Sequence, residues 1–406
     1  MTNVPEACVE FRFTPEHLEL QRTVRRFLSE VSPEARVRAD AETAAGWDPG
    51  IWRRLCAELG LPALAVPEQY GGHGFGLTEL GIAFTEAGAG LVCAPLLSTS
   101  LAIRAILESG DKEAASTQLP ALAAGTVTGT LAAHEPGRGW ENPATRAVRT
   151  DDGWSLTGHK NWVLDGHTAG LLVVSAVTEQ GPALFLVGAA APGLRTVPID
   201  TVDLTRTAAD LELTAVPATL LGADGGALRR TLDAGLVLLA AEQTGVAQHC
   251  LDMAGEYARQ REQFGRPIGM FQAVKHKLAN VLLEVEAATS AMMYALWAAD
   301  HRPAELPAAA AIAAATCAEA ALLAAGENIQ VHGGMGATWE HPAHLYLKRA
   351  TTSRLLLGDP QQHLERLAVH IGLGAPPAGQ APNGTSPHPE RQEDAWQDGW
   401  KAKSPS

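Results

Sequence analysis

The chain is expected to fold as an α+β multidomain protein, mainly α, with three domains in order. These are an N-terminal helical domain (residues 1–125), a small middle antiparallel β-domain (126–224) and a C-terminal four-helix bundle (225–372). Three observations lead there. Residues 14–124 carry apolar side chains at helical spacing between glycine-rich breaks. Residues 126–222 switch to short alternating runs separated by turn signals. From about residue 226 the helical period returns in four long segments with short joins, the pattern of an antiparallel bundle.

The first helix starts at Thr14-Pro-Glu-His, which supplies a capping hydroxyl, a proline at the first helical position and an early acid. Leu18, Leu20, Val24 and Phe27 then fall on one face. A second helix covers Ile51–Leu59 and stops at Gly60; the break 67–76 (PEQYGGHGFG) leads to a further helical stretch, Leu77–Gly88. Strands are expected at Trp154–Thr157, Leu171–Ala176 and Ala183–Val187, with turns at Asp151-Asp-Gly, Leu164-Asp-Gly and Ala191-Pro-Gly. The bundle helices are placed at Ala227–Gln260, Ala273–His301, Glu305–His332 and Pro342–Gly372. The tail 373–406 is rich in Pro, Gly and charge and reads as disordered.

Composition excludes several functions. A formal charge of −14 disfavours a nucleic-acid surface, which needs clustered Lys and Arg. Five scattered cysteines, an odd number with no close pair, point to free thiols in a reducing compartment. The N-terminus has no basic stretch followed by an apolar run, and the longest unbroken apolar run, Ala308–Ala315, is short for a bilayer. The expected setting is cytoplasmic, with no membrane partner. Neither H-E-x-x-H nor C-x-x-C occurs, and His332, His341 and His344 lack metal-ligand spacing on a helix face. The glycines of 71–76 do not fit a G-x-G-x-x-G loop.

The most informative segment is Tyr257–Gln272, YARQREQFGRPIGMFQ. A charged helix end breaks into a Phe-Gly-Arg-Pro turn and restarts as a helix, presenting Arg261, Phe264 and Gln272 at one corner. A guanidinium, an aromatic plane and a carboxamide suit a dinucleotide: charge for pyrophosphate, a stacking surface and directional hydrogen bonds.

This corner, the QVHGGMG segment at 330–336, the GLPALAVPEQYGGHGFG stretch at 60–76 and AAEQTGVAQ at 240–248 together resemble the acyl-CoA dehydrogenase family of flavoproteins, over residues 14–371. The resemblance implies an FAD-dependent α,β-dehydrogenation of an acyl-CoA thioester, with electron-transfer flavoprotein or a similar acceptor. It also implies that the C-terminal bundle grips the ADP half of the FAD of a neighbouring subunit. Arg261, Phe264, Gln272, Gln330 and Gly334 stand at those motif positions.

The family's flavin-ring positions have fared differently. A Thr-Glu-Pro-x-Ala-Gly-Ser-Asp-like segment becomes His134-Glu-Pro-Gly-Arg-Gly-Trp-Glu141, so Trp140 stands where a serine faces pyrophosphate. In Lys160-Asn-Trp-Val-Leu-Asp-Gly166, Trp162 is kept as a flavin-contact position or a barrel-core aromatic, while Leu164 replaces the threonine near flavin N5. Aligning Tyr346-Leu-Lys-Arg-Ala350 on the family's Tyr-Leu-Arg-Asp-Ala helix puts Leu357 on the catalytic glutamate, and a second family position for the base falls near Gly235-Leu236. Neither can take a proton. Two displaced bases remain: Asp359, two residues beyond, and Glu242, which burial on an apolar stretch would raise in pKa, though a satisfied structural carboxylate is the stronger reading.

The resemblance leaves three readings open. The chain is a self-sufficient homo-oligomeric dehydrogenase with a displaced base, a subunit of a hetero-oligomer completing a homologous partner's FAD site, or a non-redox scaffold. Actinobacterial members that work on bulky steroid or polyketide thioesters resemble the second. Loss of the group used in cis, with the group donated in trans intact, favours it.

Overall fold

The computed structural model describes residues 13–151, 153–222 and 224–374. All but the first two residues of the expected disordered tail lie outside them. The N-terminal helices are α1 (Pro15–Val31), α2 (Glu34–Ala41), α3 (Pro49–Leu59), α4 (Leu77–Ala89), α5 (Leu96–Glu108) and α6 (Lys112–Ala123). Thr14 caps α1 through the His17 amide with Pro15 at the first position, and Asp48 caps α3 through Gly50 and Ile51. Gly60 ends α3 in the left-handed region at φ 62°.

The middle domain contains β1 (Gly129–Ala132), β2 (Arg146–Thr150), β3 (Gly153–Leu164), β4 (Leu171–Thr178), β5 (Gly181–Gly188), β6 (Leu194–Ile199) and β7 (Ala208–Leu221). The pairings β4–β2–β3–β7–β5–β4 close on themselves, and β6 joins the free stretch of β7. The sheet is mixed, which corrects the antiparallel expectation: β1 runs parallel to β4, as does the single β2–β4 pairing. The β2–β3 hairpin intervenes between β1 and β4, so the chain re-enters the sheet in its original direction.

The C-terminal domain comprises α7 (Ala227–Gln260), α8 (Gln272–His301), α9 (Leu306–His332), α10 (Ala343–Ser353) and α11 (Pro360–His370). The fourth expected helix is thus two. Leu357 and Gly358 take φ values of 61° and 119°, and Pro360 follows, so the helix cannot run through. Alanines of α9 let its neighbours approach; Ala310, Ala311, Ala313 and Ala321 are fully buried. The central part of α7 is buried all round, and it crosses α4 with almost no gap. A Cβ at Gly245 would lie 1.8 Å from the Thr85 carbonyl, and one at Gly88 would lie 2.1 Å from that of Glu242. Those two glycines lock the N-terminal domain onto the bundle.

By length and composition, α8 and the segment Leu306–Ala337 could each cross a membrane, which no unbroken apolar run in the sequence signals. The second of these is interior to the bundle. The first leaves Leu282 and Leu283 exposed.

Candidate functional site

At one end of the bundle, α7 stops at Arg261 and the chain makes a miniature hairpin, β8 (Glu262–Gln263) against β9 (Arg266–Pro267). Its two turn residues, Phe264 and Gly265, have φ values of 55° and 75°, the signature of a type I′ turn. Phenylalanine rarely adopts that backbone, at a cost on the order of 1 kcal/mol. Its side chain is 92% exposed. An aromatic held in a costly conformation and packed on almost nothing of its own chain is set out for something else. The Ile268 amide donates to the Arg261 carbonyl at 2.8 Å, closing the loop, and Gln272 opens α8 immediately beyond.

Ala254, Ala258 and Val331 pack together with Tyr257, Ile268, Val274 and Leu278, which ties this hairpin to the end of α9. Gln330 and Gly334 are exposed there. Gly333 has φ 63° and caps the helix, which explains one glycine. Gly334 needs no left-handed backbone, and a Cβ on it would meet nothing within 4 Å. The structure therefore brings Arg261, Phe264, Gln272, Gln330 and Gly334, the positions expected to hold a nucleotide, to one end of the bundle. Arg261 is exposed and has no carboxylate partner among the described residues.

His332, His341 and His344 are absorbed into aromatic stacks. His332 lies between Tyr257 (4.2 Å) and His341 (4.3 Å), and Trp339 stacks on His344 at 5.0 Å. Among the described residues no group of three or more side chains could hold a metal ion.

In the middle domain Trp162 sits at a bulge in β3, between the pairings of Lys160 and Val163, with φ 55°. It is 41% exposed, which removes the barrel-core reading. Leu164 is buried in the main core and contributes only its carbonyl, which accepts from Thr130 at 2.6 Å.

A cleft of about 1030 Å³ opens between the 138–142 loop, α7 and α11. Leu236 and Leu357 both line it, and Leu357 Cδ1 lies 3.0 Å from where a Cβ on Gly235 would be. The two positions proposed for the base from sequence thus meet in space, and both offer only carbon.

Neither displaced base is supported by the geometry. Asp359 caps α11, accepting from the Gln362 amide at 3.0 Å in a capping box. Alanine there should cost about 1 kcal/mol, the worth of a helix cap, with a matching fall in melting temperature and no change in flavin content of the assembled protein. Glu242 belongs to a buried network. Arg206 donates to its two oxygens at 2.6 and 2.7 Å, and Arg349 donates at 3.1 Å. Arg349 also contacts Asp203 at 2.8 Å and donates to the Thr205 hydroxyl and carbonyl. Burial alone would raise the Glu242 pKa, but the two guanidinium groups overcome it and hold the carboxyl below its usual value. That reverses the expected direction and gives a permanent anion committed to two cations, a poor base. The network joins α7, α10 and the β6–β7 loop, so it fastens the middle domain to the bundle.

Known proteins share this arrangement. Residues 14–126 match the model of the acyl-CoA dehydrogenase N-terminal domain, and residues 225–372 match that of the C-terminal domain. A curated relative, acyl-CoA dehydrogenase IpdE2 of Mycobacterium tuberculosis, is 36% identical over 88% of this chain and 97% of its own length. This chain belongs to the acyl-CoA dehydrogenase family. Among solved structures, a variant of the Tcur3481-Tcur3483 steroid ACAD is 37% identical with a TM-score of 0.82, covering 88% of this chain and 97% of that one. The ChsE4-ChsE5 complex from Mycobacterium tuberculosis is 29% identical with a TM-score of 0.84, covering 91% of this chain and 100% of that one.

Acyl-CoA dehydrogenases are FAD-dependent oxidoreductases, and the two halves of that cofactor meet different receptions here. The open glycine turn, exposed Phe264 and free Arg261 fit a nucleotide with its pyrophosphate. The middle-domain positions offer Leu164 in place of a donor near the flavin ring and Trp140 in place of a hydroxyl that faces pyrophosphate. Sequence reasoning missed the partners of Glu242. A signal existed, since Arg349 stands where the family helix carries an aspartate, a charge reversal that needs an acid opposite it.

Proposed function

We propose that this chain is the non-catalytic subunit of a hetero-oligomeric acyl-CoA dehydrogenase. It lends Arg261, Phe264, Gln272, Gln330 and Gly334 to the ADP half of an FAD whose ring and catalytic glutamate belong to a homologous subunit. Bound FAD supplies the acceptor for the substrate's β-hydride, and the reaction is α,β-dehydrogenation of an acyl-CoA thioester. Removing the α-proton needs a carboxylate, and at the two positions for it in this chain's cleft stand Gly235-Leu236 and Leu357. Its contribution is binding. Arg261 neutralises the pyrophosphate, Phe264 offers a stacking face, the two carboxamides orient the nucleotide, and Gly334 lets backbone approach it.

One observation carries the reading: an exposed grip with a strained aromatic at its tip lies on the same chain as a reaction cleft floored by Leu236 and Leu357. Two of the similar solved structures carry paired names, Tcur3481-Tcur3483 and ChsE4-ChsE5, which supports pairing with a homologous chain. The assembly is cytoplasmic and passes its electrons to electron-transfer flavoprotein or a similar acceptor. Purifying the chain alone and with a homologue that carries the glutamate tests this. No flavin on the single chain and one FAD per pair are expected, whereas FAD with turnover on the single chain overturns the reading.

A further inference from the structure

We propose that this chain's own cleft is strapped against a flavin ring, by Trp140 at its rim and by two ion pairs on successive turns of α7; the proposal rests on the subunit reading above. Arg229 and Asp233 are four residues apart on one face of α7. Arg229 reaches out to Glu141 of the rim loop at 2.5 Å, and Asp233 pairs with Arg366 of α11. Leu232 and Leu236 line the cleft from the same helix. One helix face thus holds both walls, the middle-domain loop on one side and α11 on the other.

The rim loop has little freedom to swing away. Gly137 and Gly139 take φ values of 71° each, and the Glu135 amide donates to the Gly139 carbonyl at 3.1 Å, folding the loop back on itself. The Glu135 carboxylate clamps the far end, accepting from the Ala144 and Thr145 amides at 2.6 and 2.9 Å and from buried Lys160 at 2.6 Å. Trp140 is packed against the main core and lies 4.9 Å from the His134 ring. The cleft is roomy enough for a ring system, so volume is not the obstacle. The obstacle is the rim: an indole stands in place of a small hydroxyl side chain, and the Glu141–Arg229 pair holds the loop that carries it. Glu141 and Arg229 are both partly exposed, so their pair acts more by placing the loop than by its strength.

Riboflavin carries the ring without the nucleotide and so tests this cleft whatever grip the partner provides. The pair would be purified with its FAD in place and titrated with riboflavin, following fluorescence quenching. The wild-type pair should show no added site. A W140S/E141A variant of this chain should bind one riboflavin at least tenfold more tightly than wild type. No gain in a variant that melts within a few degrees of wild type overturns the proposal. Should that variant fail to assemble, Arg229→Met, which cuts the rim tie alone, is titrated in the same way, and the same absence of gain overturns it. Two FAD per wild-type pair would instead overturn the subunit reading.

Discussion

An Arg261→Ala pair, assembled as usual, is expected to come off the column colourless. The guanidinium is the cation of the proposed grip, and no carboxylate of its own chain engages it among the described residues. Hydrogen bonds to a charged group are worth about 1.5–3 kcal/mol each. Two of them lost from a pyrophosphate would weaken FAD binding by at least a hundredfold, since about 1.4 kcal/mol is a factor of ten. Because Arg261 is exposed at a helix end, the fold of the chain should be untouched. The result to look for is a loss of flavin absorbance with an unchanged melting curve of the apo chain. Phe264→Ala should weaken binding less, and by relieving a left-handed non-glycine backbone only in part it should leave stability nearly as before. Arg261→Lys keeps the charge but not the fork, and an intermediate loss is expected.

The second large effect is on stability. Arg349→Met removes a guanidinium that is 3% exposed and faces both Asp203 and Glu242. Breaking a buried pair by deleting one partner costs about 3–5 kcal/mol, because the remaining charge is stranded. Against a total stability of roughly 5–15 kcal/mol, that should lower the melting temperature by many degrees and loosen the middle domain first. The same network sets a pH dependence. The Glu242 pKa is lower in the folded chain than in the unfolded one, so its contribution is complete above the unfolded value of about 4.3 and is lost as pH falls through the folded value. Thermal melts from pH 7 to pH 3 should show a steeper acid loss for wild type than for Glu242→Gln, whose side chain no longer titrates. Parallel curves would remove Glu242 from the account.

Local rules made most of the architecture legible. Thr14 and Gly60 announce helix ends by cap chemistry that acts within a few residues, and both caps are present. The turn between α7 and α8 was legible for the same reason, since its signal lies in the adjacent residues Phe264-Gly265. What escaped was the long-range part. Within the run Ala343–His370 the break is signalled only by Gly358-Asp359-Pro360, and its geometry depends on a leucine accepting a left-handed backbone. The parallel β1–β4 pairing depends on strand order, which alternation does not encode. The partners of Glu242 come from residues 36 and 107 positions away, so a helical wheel could show that it is buried but not that it is paired. Trp162 escaped the core because a bulge turned it, and bulges leave little trace in hydrophobic period.

The most direct measurement is a cryo-electron microscopy map of the purified pair with its FAD, traced around the end of α7. The Arg261 guanidinium is expected within hydrogen-bonding distance of the pyrophosphate and Phe264 against the cofactor, with the flavin ring seated in the partner chain. Density showing Arg261 and Phe264 in solvent, with the flavin ring over Leu357 of this chain, would contradict it.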